Sequence, residues 1–138
     1  MLNRIDNREV IVSASRVLVV DDDPDFVEIT RTILQAHGFQ VASAANGSQA
    51  IEMMRQEPPD VVILDVMMQG ATEGYQVSQI MRDEPQLSRI PVLMVTSIMD
   101  SPLAGQFPTD EYLPIDDYLR KPVNPKELVE RVRSLIKR

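Results

Sequence analysis

The sequence contains no cysteine and no tryptophan, and it has only three tyrosines and three phenylalanines. Without cysteine, the chain can form neither a disulfide framework nor a thiolate metal site. With so few aromatic rings, the core has to be built from aliphatic side chains, and we interpret the eight methionines as part of that core. The lack of cysteine also agrees with a reducing cytoplasm.

Long hydrophobic runs and clusters of basic residues are also missing. The longest apolar stretches, such as 17–20 and 61–64, are far too short to cross a membrane. The first residues lack the charged-then-apolar pattern of a signal peptide. The formal net charge is -7, whereas a nucleic-acid-binding surface needs clustered lysine and arginine. We therefore expect a cytoplasmic protein that contacts neither nucleic acid nor a membrane.

Short β-branched runs alternate with segments of helical periodicity along most of the 138 residues. Residues 1–15 show no clear periodicity and are interpreted as a tail, which leaves 16–138 as one domain. The alternation is typical of βαβ units and predicts an α/β fold with a doubly wound parallel sheet. Five strands are expected, at 16–20, 40–44, 61–64, 91–96 and 117–120.

Helices are expected between the first four strands and after the last one. Asp23 followed by Pro24 predicts the start of the first helix, and His37 with Gly38 predicts its end. Asn124 is expected to cap the last helix. The predicted inner faces are Phe26, Ile29, Ile33 and Leu34 in the first helix, Val77, Ile80 and Met81 in the third, and Leu128, Val132, Leu135 and Ile136 in the last.

The region of a fourth helix is interrupted by proline. Pro102, Pro108 and Pro114 divide residues 98–116 into pieces too short for a stable helix. We predict that this helix is absent or reduced to a turn. A loop of this length is unusual in a compact domain, so it is expected either to be functional or to fold with a partner.

Polar residues follow four of the predicted strands at their carboxyl ends. In sheets of this kind the functional site lies at that edge. The sequence thus predicts one site with three carboxylates, two hydroxyls and an ammonium: Asp21 and Asp22 after the first strand, Asp65 after the third, Thr96 and Ser97 at the end of the fourth, and Lys121 after the fifth.

This combination of groups suits phosphoryl transfer. Neighbouring carboxylates repel one another unless a cation neutralises them, and Mg²⁺ prefers carboxylate, water and phosphoryl oxygens. An aspartate can itself accept a phosphoryl group as an acyl phosphate. We interpret Asp65 as the acceptor and, with Asp22, as a Mg²⁺ ligand. Lys121 and Thr96 are expected to contact the phosphoryl oxygens.

Four segments together resemble the receiver domains of two-component response regulators. They are VLVVDDDP at 17–24, VVILDVMM at 61–68, PVLMVTS at 91–97 and the Lys-Pro pair at 121–122. The resemblance covers residues 16–137, and each segment ends its own predicted strand. It implies a flavodoxin-like five-stranded sheet of order 2-1-3-4-5.

The resemblance also implies a role for each site residue. Asp65 would accept a phosphoryl group from a histidine kinase or a histidine phosphotransfer protein, and the domain would catalyse only its own phosphorylation and dephosphorylation. A cis peptide bond between Lys121 and its proline is common in the family. The implied Mg²⁺ ligands are Asp21, Asp22, Asp65 and the backbone carbonyl of Met67, the implied catalytic residues are Asp65, Thr96 and Lys121, and the implied switch residues are Thr96 and Tyr118.

The same resemblance implies that the signal leaves through contacts with a downstream protein target. We expect no output module in this chain, because the last helix leaves no room for one. A homodimer is compatible with the resemblance but is not predicted. Gln69 stands where the family usually has proline, which indicates an enlarged loop at 69–73.

Simpler or different interpretations remain open for several of these residues. Asp23 is best explained as a helix cap, and Tyr118 is equally well explained as an ordinary strand residue. A phosphatase with an aspartyl nucleophile usually needs a second acid at the position of Met67. A receiver-like domain that accepts no phosphate is disfavoured by the complete set Asp22, Asp65, Thr96 and Lys121.

Overall fold

The computed structural model describes residues 15–65, 73–96 and 116–137 of the chain. Strands and helices alternate along these ranges, as the periodicity predicts. The elements are β1 (Arg16–Val20), α1 (Pro24–Ala36), β2 (Gln40–Ala44), α2 (Gly47–Gln56), β3 (Val61–Asp65), α3 (Glu73–Asp83), β4 (Val92–Thr96), β5 (Asp117–Arg120) and α4 (Pro125–Ile136).

All five strands pair in parallel, in the order β2-β1-β3-β4-β5. This is the expected order, and it confirms the doubly wound flavodoxin-like fold. Two strand pairs are held together at their amino ends by a carboxylate. Asp60 Oδ2 accepts a hydrogen bond from the backbone nitrogen of Arg16 at 2.8 Å, and Asp116 Oδ2 accepts one from that of Val92 at 2.8 Å.

The sheet has a buried core on each face because successive side chains of a strand point to opposite sides. Leu18 and Val20 of β1 pack with residues of α2 and α3 on one face. Val17 and Val19 pack with residues of α1 and α4 on the other. This arrangement explains why β1 and β3 are continuous apolar runs rather than alternating ones.

Two expected core residues lie on the surface instead. Ile29 of α1 is 57% exposed and Ile80 of α3 is 43% exposed, so their assignment to inner helix faces was wrong. Each helical residue advances about 100° around the axis, and the buried stripe of α1 is centred near Thr30, which leaves Ile29 at its side. In α3, the buried stripe consists of Val77, Ser78 and Met81, and Ile80 lies at its side.

The helix boundaries follow the capping signals. The side chain of Asp23 accepts a hydrogen bond from the nitrogen of Asp25 at the start of α1. After the end of α1, Gly38 has a φ of 91°, a conformation that favours glycine. Asn46 was predicted as part of a turn, and it also caps α2 by accepting from the nitrogen of Gln49 at 2.8 Å.

Three structural predictions concern residues that lie almost entirely outside the described ranges. They are the tail before residue 15, the enlarged loop at 69–73, and the loss or reduction of a helix at 98–116. Within the described ranges, none of the helices combines the length and the apolar character needed to span a bilayer.

Candidate functional site

The register of β1 and β3 brings two of the predicted carboxylates together. Val20 pairs with Leu64, so the residues that follow them, Asp21 and Asp65, lie side by side at the carboxyl edge of the sheet. Asp21 remains attached to the sheet because its nitrogen donates to the carbonyl of Ala44 at 3.0 Å. Asp65 is the last residue of β3, which fixes it beside the neighbouring strand β4.

Asp21, Asp22 and Asp65 form an acidic cluster at this edge. One carboxylate oxygen from each residue lies within 4.8 Å of the others. Asp21 and Asp65 are almost fully buried, at 2% and 6% exposure, whereas Asp22 is exposed to solvent. Two of the three carboxylates therefore lie inside the protein, and the third, that of Asp22, lies at the surface.

The connection from β1 to α1 holds Asp21 in place. Asp21 Oδ1 accepts a hydrogen bond from the nitrogen of Asp23 at 2.9 Å, and Asp23 in turn caps α1. The three consecutive aspartates thus have different roles. Asp21 and Asp22 belong to the acidic cluster, and Asp23 begins the helix, as predicted.

Lys121 directly follows β5, and its side chain reaches the acidic cluster. The Lys121–Pro122 peptide bond is cis, which agrees with the expectation from the family resemblance. The ammonium donates to Asp21 Oδ2 at 2.9 Å and lies 3.5 Å from Asp65 Oδ2. The contact with Asp21 joins residues that are 100 positions apart in the sequence.

The carboxylates change the acid–base behaviour of Lys121. Partial burial by itself lowers the pKa of the ammonium, because burial disfavours the charged form. The hydrogen bond to Asp21 and the negative charges of Asp65 and Asp21 outweigh that effect. The pKa of Lys121 is therefore raised above its ordinary value, and the group is a cation at neutral pH.

Phe26 is a site neighbour that the sequence reasoning missed. The Lys121 ammonium lies over its ring, with Nζ 4.4 Å from the ring centroid. Helical spacing had placed Phe26 on the inner face of α1, which is correct, but the spacing alone does not show which side chain covers the ring. The one available signal in the sequence was the position of Phe26. It lies three residues after Asp23, which caps the helix that begins at the site.

The remaining predicted site residues are described in part or not at all. The backbone of Thr96 ends β4 opposite Arg120, which places it at the same edge as Asp65, but its side chain lies outside the described part of the structure. Met67 and Ser97 lie outside it as well. Tyr118 is 47% exposed, and its carbonyl accepts a hydrogen bond from Arg131 at 3.2 Å.

The site therefore brings three carboxylates and one ammonium to the carboxyl edge of the sheet. Negative charge is in excess, and carboxylate oxygens are the ligands that Mg²⁺ prefers. The buried oxygen of Asp65 lies near a fixed cation, so new negative charge at this position would be stabilised electrostatically. The arrangement suits the binding of a hard divalent cation together with a phosphoryl group.

Comparison with known families identifies the family to which this fold belongs. The profile of the response regulator receiver domain matches residues 17–133, which include Asp21, Asp22, Asp65 and Lys121. The chain belongs to this family. It is therefore a receiver domain of the kind found in two-component response regulators.

Curated relatives support this assignment over most of the receiver domain. The DNA-binding response regulator MtrA of Mycolicibacterium smegmatis is 39% identical over 127 residues, which cover 89% of this chain and 51% of that protein. The probable transcriptional regulator ycf27 of Cyanophora paradoxa is 40% identical, over 92% of this chain and 50% of that protein. The receiver domain thus spans about half the length of these relatives.

Solved structures of receiver domains have the same fold. Chemotaxis protein CheY4 of Vibrio cholerae superposes with a TM-score of 0.77 at 29% identity, over 89% of this chain and 99% of that one. The receiver domain of sensor histidine kinase PA1611 of Pseudomonas aeruginosa PAO1 has a TM-score of 0.80 at 21% identity, over 91% of this chain and 100% of that one. That domain was crystallised with a magnesium ion coordinated in its active site cleft, and at this identity the likeness concerns the fold alone.

Proposed function

We propose that this receiver domain accepts a phosphoryl group on Asp65 from a phosphohistidine of a histidine kinase or histidine phosphotransfer protein. The observation that carries the proposal is the surroundings of Asp65. Its carboxylate is buried at the end of β3, within 4.8 Å of those of Asp21 and Asp22, and 3.5 Å from the Lys121 ammonium.

The proposed step needs only a few groups from this chain. A carboxylate oxygen of Asp65 attacks the phosphorus, the bond between phosphorus and the donor histidine nitrogen breaks, and an acyl phosphate forms on Asp65. The ammonium of Lys121 stabilises the negative charge of the phosphoryl oxygens. We propose the hydroxyl of Thr96 as a second contact, and the position of its backbone at the end of β4 supports this role.

The residues present also suit Mg²⁺ as the cofactor of this site. Asp21, Asp22 and Asp65 supply hard oxygen ligands, and the exposed position of Asp22 leaves an open side for water and phosphate. We include the backbone carbonyl of Met67 as a fourth ligand. When bound, Mg²⁺ would neutralise charge on the carboxylates and the phosphoryl oxygens.

The output proposed for the domain is a contact with a downstream protein. Thr96 and Tyr118 are the proposed switch residues, and Tyr118 starts from a position that is about half exposed. We place the domain in the cytoplasm, where a kinase has ATP as its phosphate source. The net charge of -7 favours protein contacts over direct binding of nucleic acid by this chain.

The direct test is modification by acetyl phosphate in the presence of Mg²⁺, followed by intact-mass analysis. The wild type should gain one phosphoryl group, and Asp65→Asn should gain none. Asp25→Asn is the matched control, because Asp25 is an exposed aspartate of α1 outside the acidic cluster. A wild type that remains unmodified, or an Asp65→Asn variant that is still modified, contradicts the proposal.

A further inference from the structure

The ring of Phe26 forms one wall around the Lys121 ammonium. Nζ lies 4.4 Å from the ring centroid, 2.9 Å from Asp21 Oδ2 and 3.5 Å from Asp65 Oδ2. The face of an aromatic ring carries negative charge density and attracts a cation. The ammonium is thus attracted by two carboxylates and by the ring.

We propose that Phe26 is a positioning residue for phosphoryl transfer, which holds the Lys121 ammonium between Asp21 and Asp65. The inference rests on the proposed function, because it concerns transfer to Asp65. Phe26 does not touch the reacting atoms in this proposal. It acts through Lys121.

Phe26 is itself held firmly enough for this role. It is the third residue of α1, whose start is fixed by the Asp23 cap and by Pro24 at the first helical position. Its side chain packs against the core cluster that α1 and α4 share. The same β1–α1 connection carries Asp21, so one short segment supplies two of the three groups around the ammonium.

The aromatic ring matters here as more than apolar volume. Lysine has a flexible four-carbon stem with high rotamer freedom, so its ammonium occupies one place only if its surroundings favour that place. A leucine at position 26 would fill much of the space without attracting the cation. The ammonium would then spend more time in solvent. It would lie beside Asp65, ready to stabilise the charge of the incoming phosphoryl group, in a smaller fraction of molecules.

The kinetic test compares three variants with the wild type at saturating acetyl phosphate and Mg²⁺. Phe26→Leu should lower the rate constant for Asp65 modification about fivefold, which corresponds to about 1 kcal/mol. Phe26→Tyr keeps a ring and should restore a rate within about twofold of the wild type. Phe39→Leu should also stay near the wild-type rate, because Phe39 packs against the same core cluster and lines a groove with His37 and Lys137, away from the acidic cluster.

A spectroscopic readout tests the contact independently of phosphorylation. The ε-methylene protons of Lys121 should show an upfield ring-current shift in the wild type, in Phe26→Tyr and in Phe39→Leu. Phe26→Leu should lose that shift. Thermal unfolding of each variant shows whether a change in rate reflects a loss of folded protein.

The possible outcomes separate this inference from the proposed function. If the wild type is not modified, both are contradicted. If the wild type is modified but Phe26→Leu reacts as fast, only the role of Phe26 is contradicted. The same conclusion follows if Phe39→Leu slows as much as Phe26→Leu, if Phe26→Tyr does not restore the rate, or if the lysine signal is the same in all variants.

Discussion

The ammonium of Lys121 lies closer to Asp21 than to Asp65, at 2.9 Å and 3.5 Å from their respective Oδ2 atoms. Asp21 therefore holds the cation beside the proposed acceptor before any phosphoryl group arrives. A phosphoryl group on Asp65 would bring additional negative oxygens toward the same ammonium. We expect Lys121 to exchange its hydrogen bond with Asp21 for one with the phosphoryl group.

The first prediction concerns stability at high pH. Although burial lowers the pKa of Lys121, the hydrogen bond to Asp21 and the carboxylate charges raise it above the ordinary value of 10.5. The folded protein thus binds this proton more tightly than the unfolded chain. The resulting stabilisation is complete below pH 10.5 and disappears as the pH rises through the folded-state pKa.

Urea unfolding from about pH 8 to about pH 12 measures this effect. The wild type should lose free energy of unfolding more steeply at the alkaline end than Lys121→Met. Lys126→Met should follow the wild type, because Lys126 is an exposed lysine in the first turn of α4. Parallel curves for the wild type and Lys121→Met would show that the contacts with Asp21 and Asp65 do not favour the charged lysine.

The second prediction concerns Mg²⁺ and the acidic cluster. A ligand that binds only the folded state raises the free energy of unfolding, by about 1.4 kcal/mol at ten times its dissociation constant. We expect this increase in the wild type, measured by urea unfolding with and without Mg²⁺. Asp22→Asn should lose most of it, and because Asp22 is exposed, the substitution should leave the fold intact.

Asp25→Asn provides the comparison for Asp22→Asn, since it removes a nearby charge from outside the acidic cluster. It should keep the stabilisation by Mg²⁺. Equal stabilisation of Asp22→Asn and the wild type would exclude Asp22 as a ligand.

The third prediction concerns a buried hydroxyl in α1. Thr30 is fully buried, and within the described ranges its Oγ1 has no hydrogen-bond partner. A buried hydroxyl without a partner costs about 1–3 kcal/mol. Thr30→Val replaces the hydroxyl with a methyl group of similar shape, so we expect the free energy of unfolding to rise by about 1 kcal/mol.

Thr32 is the matched control because it is an exposed threonine of the same helix. Its Oγ1 donates to the carbonyl of Glu28 at 2.9 Å, so Thr32→Val should change the free energy of unfolding by less than about 0.5 kcal/mol. Destabilisation of Thr30→Val in urea unfolding would indicate that the hydroxyl has a partner in the folded protein.

The sequence was sufficient to predict the sheet and the position of its functional edge. The apolar runs of β1 and β3 are short and each is followed by an aspartate in the expected sequence pattern, and the capping pair Asp23–Pro24 predicted the start of α1. The carboxyl ends of parallel strands meet at one edge, so Asp21, Asp22, Asp65 and Lys121 could be grouped before any coordinates were known.

Tertiary structure decided which neighbours each of these residues has. Helical spacing includes Ile29 and Ile80 in apolar stripes, but their exposure depends on how each helix rotates against the sheet, which no local pattern encodes. The contact between Phe26 and Lys121 and the closer approach of Lys121 to Asp21 depend on packing between β1, α1 and β5. Local propensity determines the elements because it acts within a few residues, whereas these contacts join segments about 100 residues apart, and only the packed fold brings them together.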